Sequence, residues 1–164
     1  MKFACELSVF VDCSYEAKYW VDRAIGWLPS DVVEHLAGRL AIVCVDSSDG
    51  RRLTSEFCQG RQLIILSERI VPRGCLSEDD SRVRYFIFVV MHEIAHAICD
   101  HQAPRELPVL SAEGQEDEAD VLAYKWLNEH LETTDQPRFS TEELSKAKAE
   151  SKRVWEKAFG TATY

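Results

Sequence analysis

The chain has 164 residues, 46% of them hydrophobic and 29% charged, with a formal net charge of −9. That length holds one hydrophobic core but not a core plus an independent second module, and the balance is that of a globular chain rather than a disordered or membrane-embedded one. An acidic surplus without any Lys/Arg cluster gives no phosphate-binding surface, so nucleic acid is not an expected partner.

No apolar run approaches the roughly 20 residues of a membrane-spanning helix; the longest, Tyr85 to Met91, is far shorter. Glu6 and Asp12 interrupt the apolar N-terminal stretch, which therefore reads as structure and not as a secretion signal. The six cysteines, Cys5, Cys13, Cys44, Cys58, Cys75 and Cys99, include no CxxC pair, which argues against a zinc ribbon or a redox dithiol. They are expected as reduced thiols in a cytoplasmic protein.

Residues 3–11 alternate loosely in polarity and predict a first strand. After Ser14, the residues Tyr15, Tyr19, Trp20, Val21, Ala24 and Trp27 recur near helical spacing. Pro29 then interrupts before a second short helix over Asp31 to Leu40, opened by Ser30 and Asp31. Two β-branched runs, Leu40 to Val45 and Leu63 to Leu66, flank a Ser/Asp/Gly/Arg-rich connection from Asp46 to Arg61 and read as two strands of one sheet. Beyond Pro72 and Gly74, the stretch Ser77 to Ser81 supplies an N-cap and a negative first turn for a long apolar helix, Arg82 to about Asp100. Pro104 and Pro108 break the chain, and Gly114 precedes a helix from about Gln115 to Leu131. A last amphipathic helix covers Thr141 to Phe159, with Leu144, Val154, Trp155 and Phe159 on its buried side. Trp20, Trp27, Trp126 and Trp155 are expected as packing anchors.

The chemistry concentrates in His92-Glu93-Ile94-Ala95-His96, which places two imidazoles at i and i+4 on one helix face, a single turn apart, where both can reach one metal ion. That geometry suits Zn2+. Glu93, beside the first ligand, can take the proton of a water that the metal has acidified. Two ligands do not complete a catalytic zinc site, which usually has three from the protein and one open position. The segment Glu113 to Asp120 on the next helix is the source of the third. Glu116 and Asp120 lie four apart on one face, so Glu116 can ligate while Asp120 accepts a hydrogen bond from the far nitrogen of a ligand histidine. Glu116 is favoured over Glu113, which Gly114 separates from the regular helix, and over Glu118.

HEIAH followed by EDEAD resembles the gluzincin metallopeptidases, whose signature is HExxH on one helix and a third Glu ligand, often within ExxAD, on the next. The small size, the strand Leu63 to Leu66 and the short spacer to Glu116 look most like the minigluzincins and the ImmA/IrrE-type peptidase domains. The overlap runs from about Leu63 to Leu127. The resemblance implies one α+β, zincin-like domain over residues 1–164, mostly helical with a small sheet beside the HExxH helix and its core motifs within about 63–131. It makes His92, His96 and Glu116 the zinc ligands, Glu93 the general base and acid, and Asp120 the support of a ligand histidine.

The implied activity is zinc-dependent hydrolysis of peptide bonds, with a polypeptide substrate laid along the strand Leu63 to Leu66. A protein partner or inhibitor remains open. His101, Tyr85, Tyr124 and His130 are the candidates for a further donor toward the oxyanion. Two lesser possibilities are Cys5 or Cys13 as an inhibitory thiolate and Arg51 and Arg52 as the lining of a specificity pocket. The competing reading is a zinc-binding interaction or sensor module that keeps the site without turnover, for instance with the C-terminal helix over the cleft.

Overall fold

The computed structural model describes residues 10–45, 62–74, 76–101 and 109–159. Leu40 to Val45 is a continuous apolar run, which suits a strand covered on both faces, and it forms the central strand of a three-stranded sheet in which both pairings are parallel. In chain order the elements are β1 (Phe10–Asp12), α1 (Tyr15–Gly26), α2 (Ser30–Leu36), β2 (Leu40–Val45), β3 (Gln62–Ser67), a 3-10 turn (Glu68–Ile70), α3 (Ser81–Ile98), α4 (Val109–Thr133) and α5 (Thr141–Phe159). Parallel neighbours need a crossover, and α1 and α2 supply the one between β1 and β2. The mostly helical α+β class is as expected, and the first strand, Phe10–Asp12, joins the two β-branched strands in one sheet.

Ser14 caps α1 by accepting from Ala17 N at 3.3 Å, and its own N–H and hydroxyl donate to the two carboxylate oxygens of Glu68 at 2.9 Å. The start of α1 is thereby tied to the turn that follows β3. Helix α2 stops at Leu36, short of the expected Leu40, because Gly38 takes a left-handed φ of 73° and reverses the chain into β2. The register pairs Asp12 with Val43, so the next residues, Cys13 and Cys44, face each other, and they form a disulfide with Cα atoms 4.7 Å apart. This corrects the expectation of reduced thiols for that pair and removes Cys13 as an inhibitory thiolate. Cys99 is a free thiol. Cys5, Cys58, Cys75, Arg51 and Arg52 lie outside the described residues.

Helix α3 is the central element and packs against α1, α2, α4, α5 and β3. Its buried residues, Val83, Phe86, Ile87, Phe88, Val90, Met91, Ile94 and Ala95, cover more than one face, and each large side chain contributes roughly 1.5–3 kcal/mol of burial. Asp80 caps it, accepting from Arg82 N at 2.9 Å, but the first turn proper carries no acidic residue, since the acidic stretch ends at the cap. Arg84, only 4% exposed on this helix, reaches the carbonyls of Pro137 (3.1 Å) and Glu78 (3.4 Å) and the Gln136 side chain (3.4 Å).

Helix α4 begins at Val109 rather than Gln115, so Gly114 and Glu113 lie inside it. A helical glycine costs roughly 1 kcal/mol. Burial of Ala119, Ala123, Trp126, Leu127 and Leu131 against the core outweighs that cost. Fully buried Ala119 and Ala123 let α3 and α4 approach closely.

Asn128, 1% exposed, holds the α4–α5 connection. Its Nδ2 donates to Phe139 O (3.2 Å) and Tyr124 O (3.1 Å), and its Oδ1 accepts from Phe139 N (2.8 Å). A reciprocal pair, Ser140 with Glu143, then caps α5 at 3.1 and 2.8 Å. Leu144 and Ala147 face the core, whereas Val154, Trp155 and Phe159 lie outside the described side chains. Trp20, Trp27 and Trp126 are buried packing anchors as expected. No helix among the described residues is long and apolar enough to cross a membrane.

Candidate metal centre

His92 and His96 sit one turn apart near the C-terminal end of α3, where the helix emerges from the core and both side chains become half-buried, at 15% and 21% exposure. Their rings meet edge to face with centroids 4.7 Å apart, and their Nε2 atoms approach to 3.0 Å. Glu116 reaches across from α4 and places one oxygen 3.3 Å from His92 Nε2 and the other 3.5 Å from His96 Nε2. Three ligand atoms from the residues expected on sequence grounds therefore converge in a group that could hold a metal ion. Glu113, the alternative third ligand, is exposed and not part of it.

Asp120, one turn beyond Glu116, accepts from His92 Nδ1 at 2.8 Å. A carboxylate can only accept, so Nδ1 carries the proton and Nε2 is left with its lone pair toward the triangle. The other Asp120 oxygen accepts from Lys148 Nζ of α5 at 3.1 Å, and the same ammonium lies 5.5 Å from the Phe88 ring centroid. The last helix thus touches the outer side of the site, as the reading with the C-terminal helix over the cleft envisages, although the sequence does not single out Lys148 as the contacting residue.

Burial is the main influence raising the Glu93 carboxyl above its usual range; His92 opposes it and the Glu116 carboxylate adds to it. Burial likewise pushes His96 below the usual histidine value, with neighbouring His92 acting the same way, which favours the neutral ring that metal ligation requires.

Of the four oxyanion candidates, His101 lies behind His96, with Nδ1 atoms 2.8 Å apart, and away from the triangle. His130 stacks on Trp27 at 4.3 Å with planes 12° apart, which makes it a packing residue between α4 and the end of α1. Tyr124 packs against the core, and Tyr85 is half-buried on α3 two turns before His92. A second cluster, Cys99, His101 and Glu118, has its ligand-type atoms within 4.8 Å of one another. The signal for it was present in the spacing His96-Ala-Ile-Cys99-Asp-His101, but only the chain reversal at Asp100 gives that spacing meaning.

Comparison of the chain with family models, with curated proteins and with solved structures returns no match. Geometry and chemistry alone carry the functional reading.

Proposed function

We propose that the chain is a zinc-dependent peptidase of gluzincin type. The observation that carries this reading is the triangle formed by His92 Nε2 and His96 Nε2, 3.0 Å apart, and the Glu116 carboxylate, one oxygen of which lies 3.3 Å from the first and the other 3.5 Å from the second. A tetrahedral ion with ligand bonds of about 2.0–2.2 Å separates its ligand atoms by about 3.3–3.6 Å, so one zinc fits the triangle with small adjustments. Among the described residues no fourth His, Cys, Asp or Glu joins the group, and the Glu116 side chain is 53% exposed. Three protein ligands with an accessible side suit a catalytic site, whereas structural zinc is usually closed by four.

Zinc bound there would lower the pKa of a coordinated water and polarise a substrate carbonyl. Glu93 would receive the proton and pass it to the leaving amine, and its upward-shifted carboxyl suits a group that must both take and give a proton near neutrality. Among the described residues β3 lies at the edge of the sheet and packs against α3, with Gln62 and Ile65 exposed, which suits addition of an extended peptide close to the site.

The test measures elemental zinc in wild type, His92→Ala, Glu116→Ala and Glu93→Gln, then assays peptide hydrolysis. Expected are about one zinc per chain in wild type, loss of zinc in the first two variants, and in Glu93→Gln retained zinc with turnover lowered roughly 10²–10⁴-fold. A wild type that takes up no zinc, or Glu93→Gln turnover equal to wild type, overturns the proposal. The Lys148 contact favours the second reading, a zinc-loaded module whose turnover is suppressed by α5. On that reading, release of α5 by Lys148→Ala raises hydrolysis above wild type.

A further inference from the structure

His96 needs a bare Nε2 to act as a ligand, yet its partner on the other side is not a carboxylate but a second imidazole, His101 Nδ1, at 2.8 Å. Two ring nitrogens that close share one proton unless a metal ion lies between them, as it would between the Nε2 atoms of His92 and His96 at 3.0 Å, and the Nδ1 pair alone does not say which ring carries the proton. The next link decides. His101 Nε2 lies 3.2 Å from Glu118 Oε2, an acceptor only, so Nε2 of His101 bears hydrogen. In a neutral ring, His101 Nδ1 is then the acceptor, His96 Nδ1 is the donor, and His96 Nε2 is left bare on the metal side.

The backbone builds this contact deliberately. Asp100 adopts a left-handed φ of 53°, and His101 N donates to His96 O at 3.0 Å, a six-to-one bond that folds the chain back against the last turn of α3. The His101 side chain is left only 6% exposed, with its ring inclined 70° to that of His96.

We propose that Glu118 and His101 form a relay that holds His96 in its metal-binding tautomer, as Asp120 does directly for His92. This rests on the metal-site reading above and adds two positioning residues to it. The relay also excludes a second use of the same side chains. A metal held by Cys99, His101 Nε2 and Glu118 would move the His101 proton to Nδ1 and force hydrogen onto His96 Nε2, spoiling the first site.

The experiment is a zinc titration against a competing chelator on wild type, His101→Ala, His101→Leu, His101→Asn, Glu118→Ala and Cys99→Ser. Expected are one zinc in wild type, affinity about 10–100-fold weaker in His101→Ala, and a smaller loss in Glu118→Ala. His101→Asn, whose amide oxygen can replace Nδ1 as acceptor, should recover most of the affinity, and Cys99→Ser should match wild type. His101→Leu, which fills the space without an acceptor, should stay as weak as His101→Ala, a contrast with His101→Asn that a merely structural role for His101 would not produce. Wild-type affinity in His101→Ala overturns the relay, as does a second zinc that disappears in Cys99→Ser. A wild type that binds no zinc sinks the metal reading and the relay with it, an outcome distinct from zinc binding that His101→Ala leaves unchanged.

Discussion

Asp120→Ala separates support of a ligand from support of the fold. In the intact protein Asp120 accepts from His92 Nδ1 at 2.8 Å and from Lys148 Nζ at 3.1 Å, with its side chain 38% exposed. Removing the carboxylate takes away the group that fixes the His92 tautomer, and loss of such a partner usually weakens a metal site about 10–100-fold, or about 1.4–2.7 kcal/mol. Removing the ammonium instead, by Lys148→Ala, breaks an ion pair with partners 46% and 38% exposed, worth at most about 1 kcal/mol and so under about fivefold in affinity. Asp120→Asn keeps an acceptor oxygen and should fall between wild type and Asp120→Ala. Chelator competition gives the affinities, and urea unfolding of the metal-free proteins shows whether the fold has changed. Zinc held by Asp120→Ala within twofold of wild type would falsify the claim that this contact orients the ligand.

Asn128→Ala leaves the Phe139 N–H and C=O without their buried partner. At about 1–3 kcal/mol for each orphaned group, a loss of about 2–6 kcal/mol is expected in chemical denaturation, and a loss below about 1 kcal/mol contradicts the role given to this clamp. Asp100→Gly should be tolerated at φ 53°, whereas Asp100→Val should cost about 1–2 kcal/mol and weaken zinc binding by displacing His101; equal behaviour of the two variants would refute the turn argument. Burial, the largest influence on His130, lowers its pKa below the free value, with Arg23 acting the same way and Glu78 against. Its unfolded ring titrates near about 6.5, so its contribution is complete above that pH and is lost as pH falls through the lower folded value. Stability between pH 7 and 5 should therefore fall less steeply in His130→Gln than in wild type, and identical slopes would show that His130 is not the group responsible.

The parts of the fold legible in the sequence are those that local pattern decides. Leu40 to Val45 is apolar, β-branched and bounded by turn residues, and the strand spans the same residues. The capping role of Asp80 and the apolar run behind it define α3 to within a residue or two. The boundaries that move are those where one residue type has two uses. Gly38 falls inside the helix expected to run to Leu40, and Gly114 just ahead of the next expected helix, and the structure reverses both. Only Gly38 takes a positive φ and ends a helix; Gly114 is carried inside α4 because the packed residues around Ala119 and Leu127 outweigh its cost. Parallel pairing is less legible still, because β1 and β2 are separated by two helices and no local pattern names a parallel partner. The Cys13–Cys44 bond depends on that pairing and its register, so neither the bond nor its effect on the expected thiols follows from cysteine spacing.

The candidate site divides along the same line. His92 with His96, and Glu116 with Asp120, are i, i+4 pairs within single helices, so helical geometry alone puts each pair on one face, and the only tertiary step is the packing of α4 on α3. His101 is different. Continued helix would carry a residue five positions on to about 140° around the axis from His96, away from the metal side and out of reach of its ring. It stands behind His96 because the helix stops at Ile98 and Asp100 turns left-handed. Aspartate at a helix end is compatible with that turn but does not require it, since the same residue serves as a cap, a turn former or a solvated charge. The ligands and the carboxylate that orients His92 lie on regular helices and can therefore be read from spacing, while His101, placed behind His96, owes its position to irregular backbone.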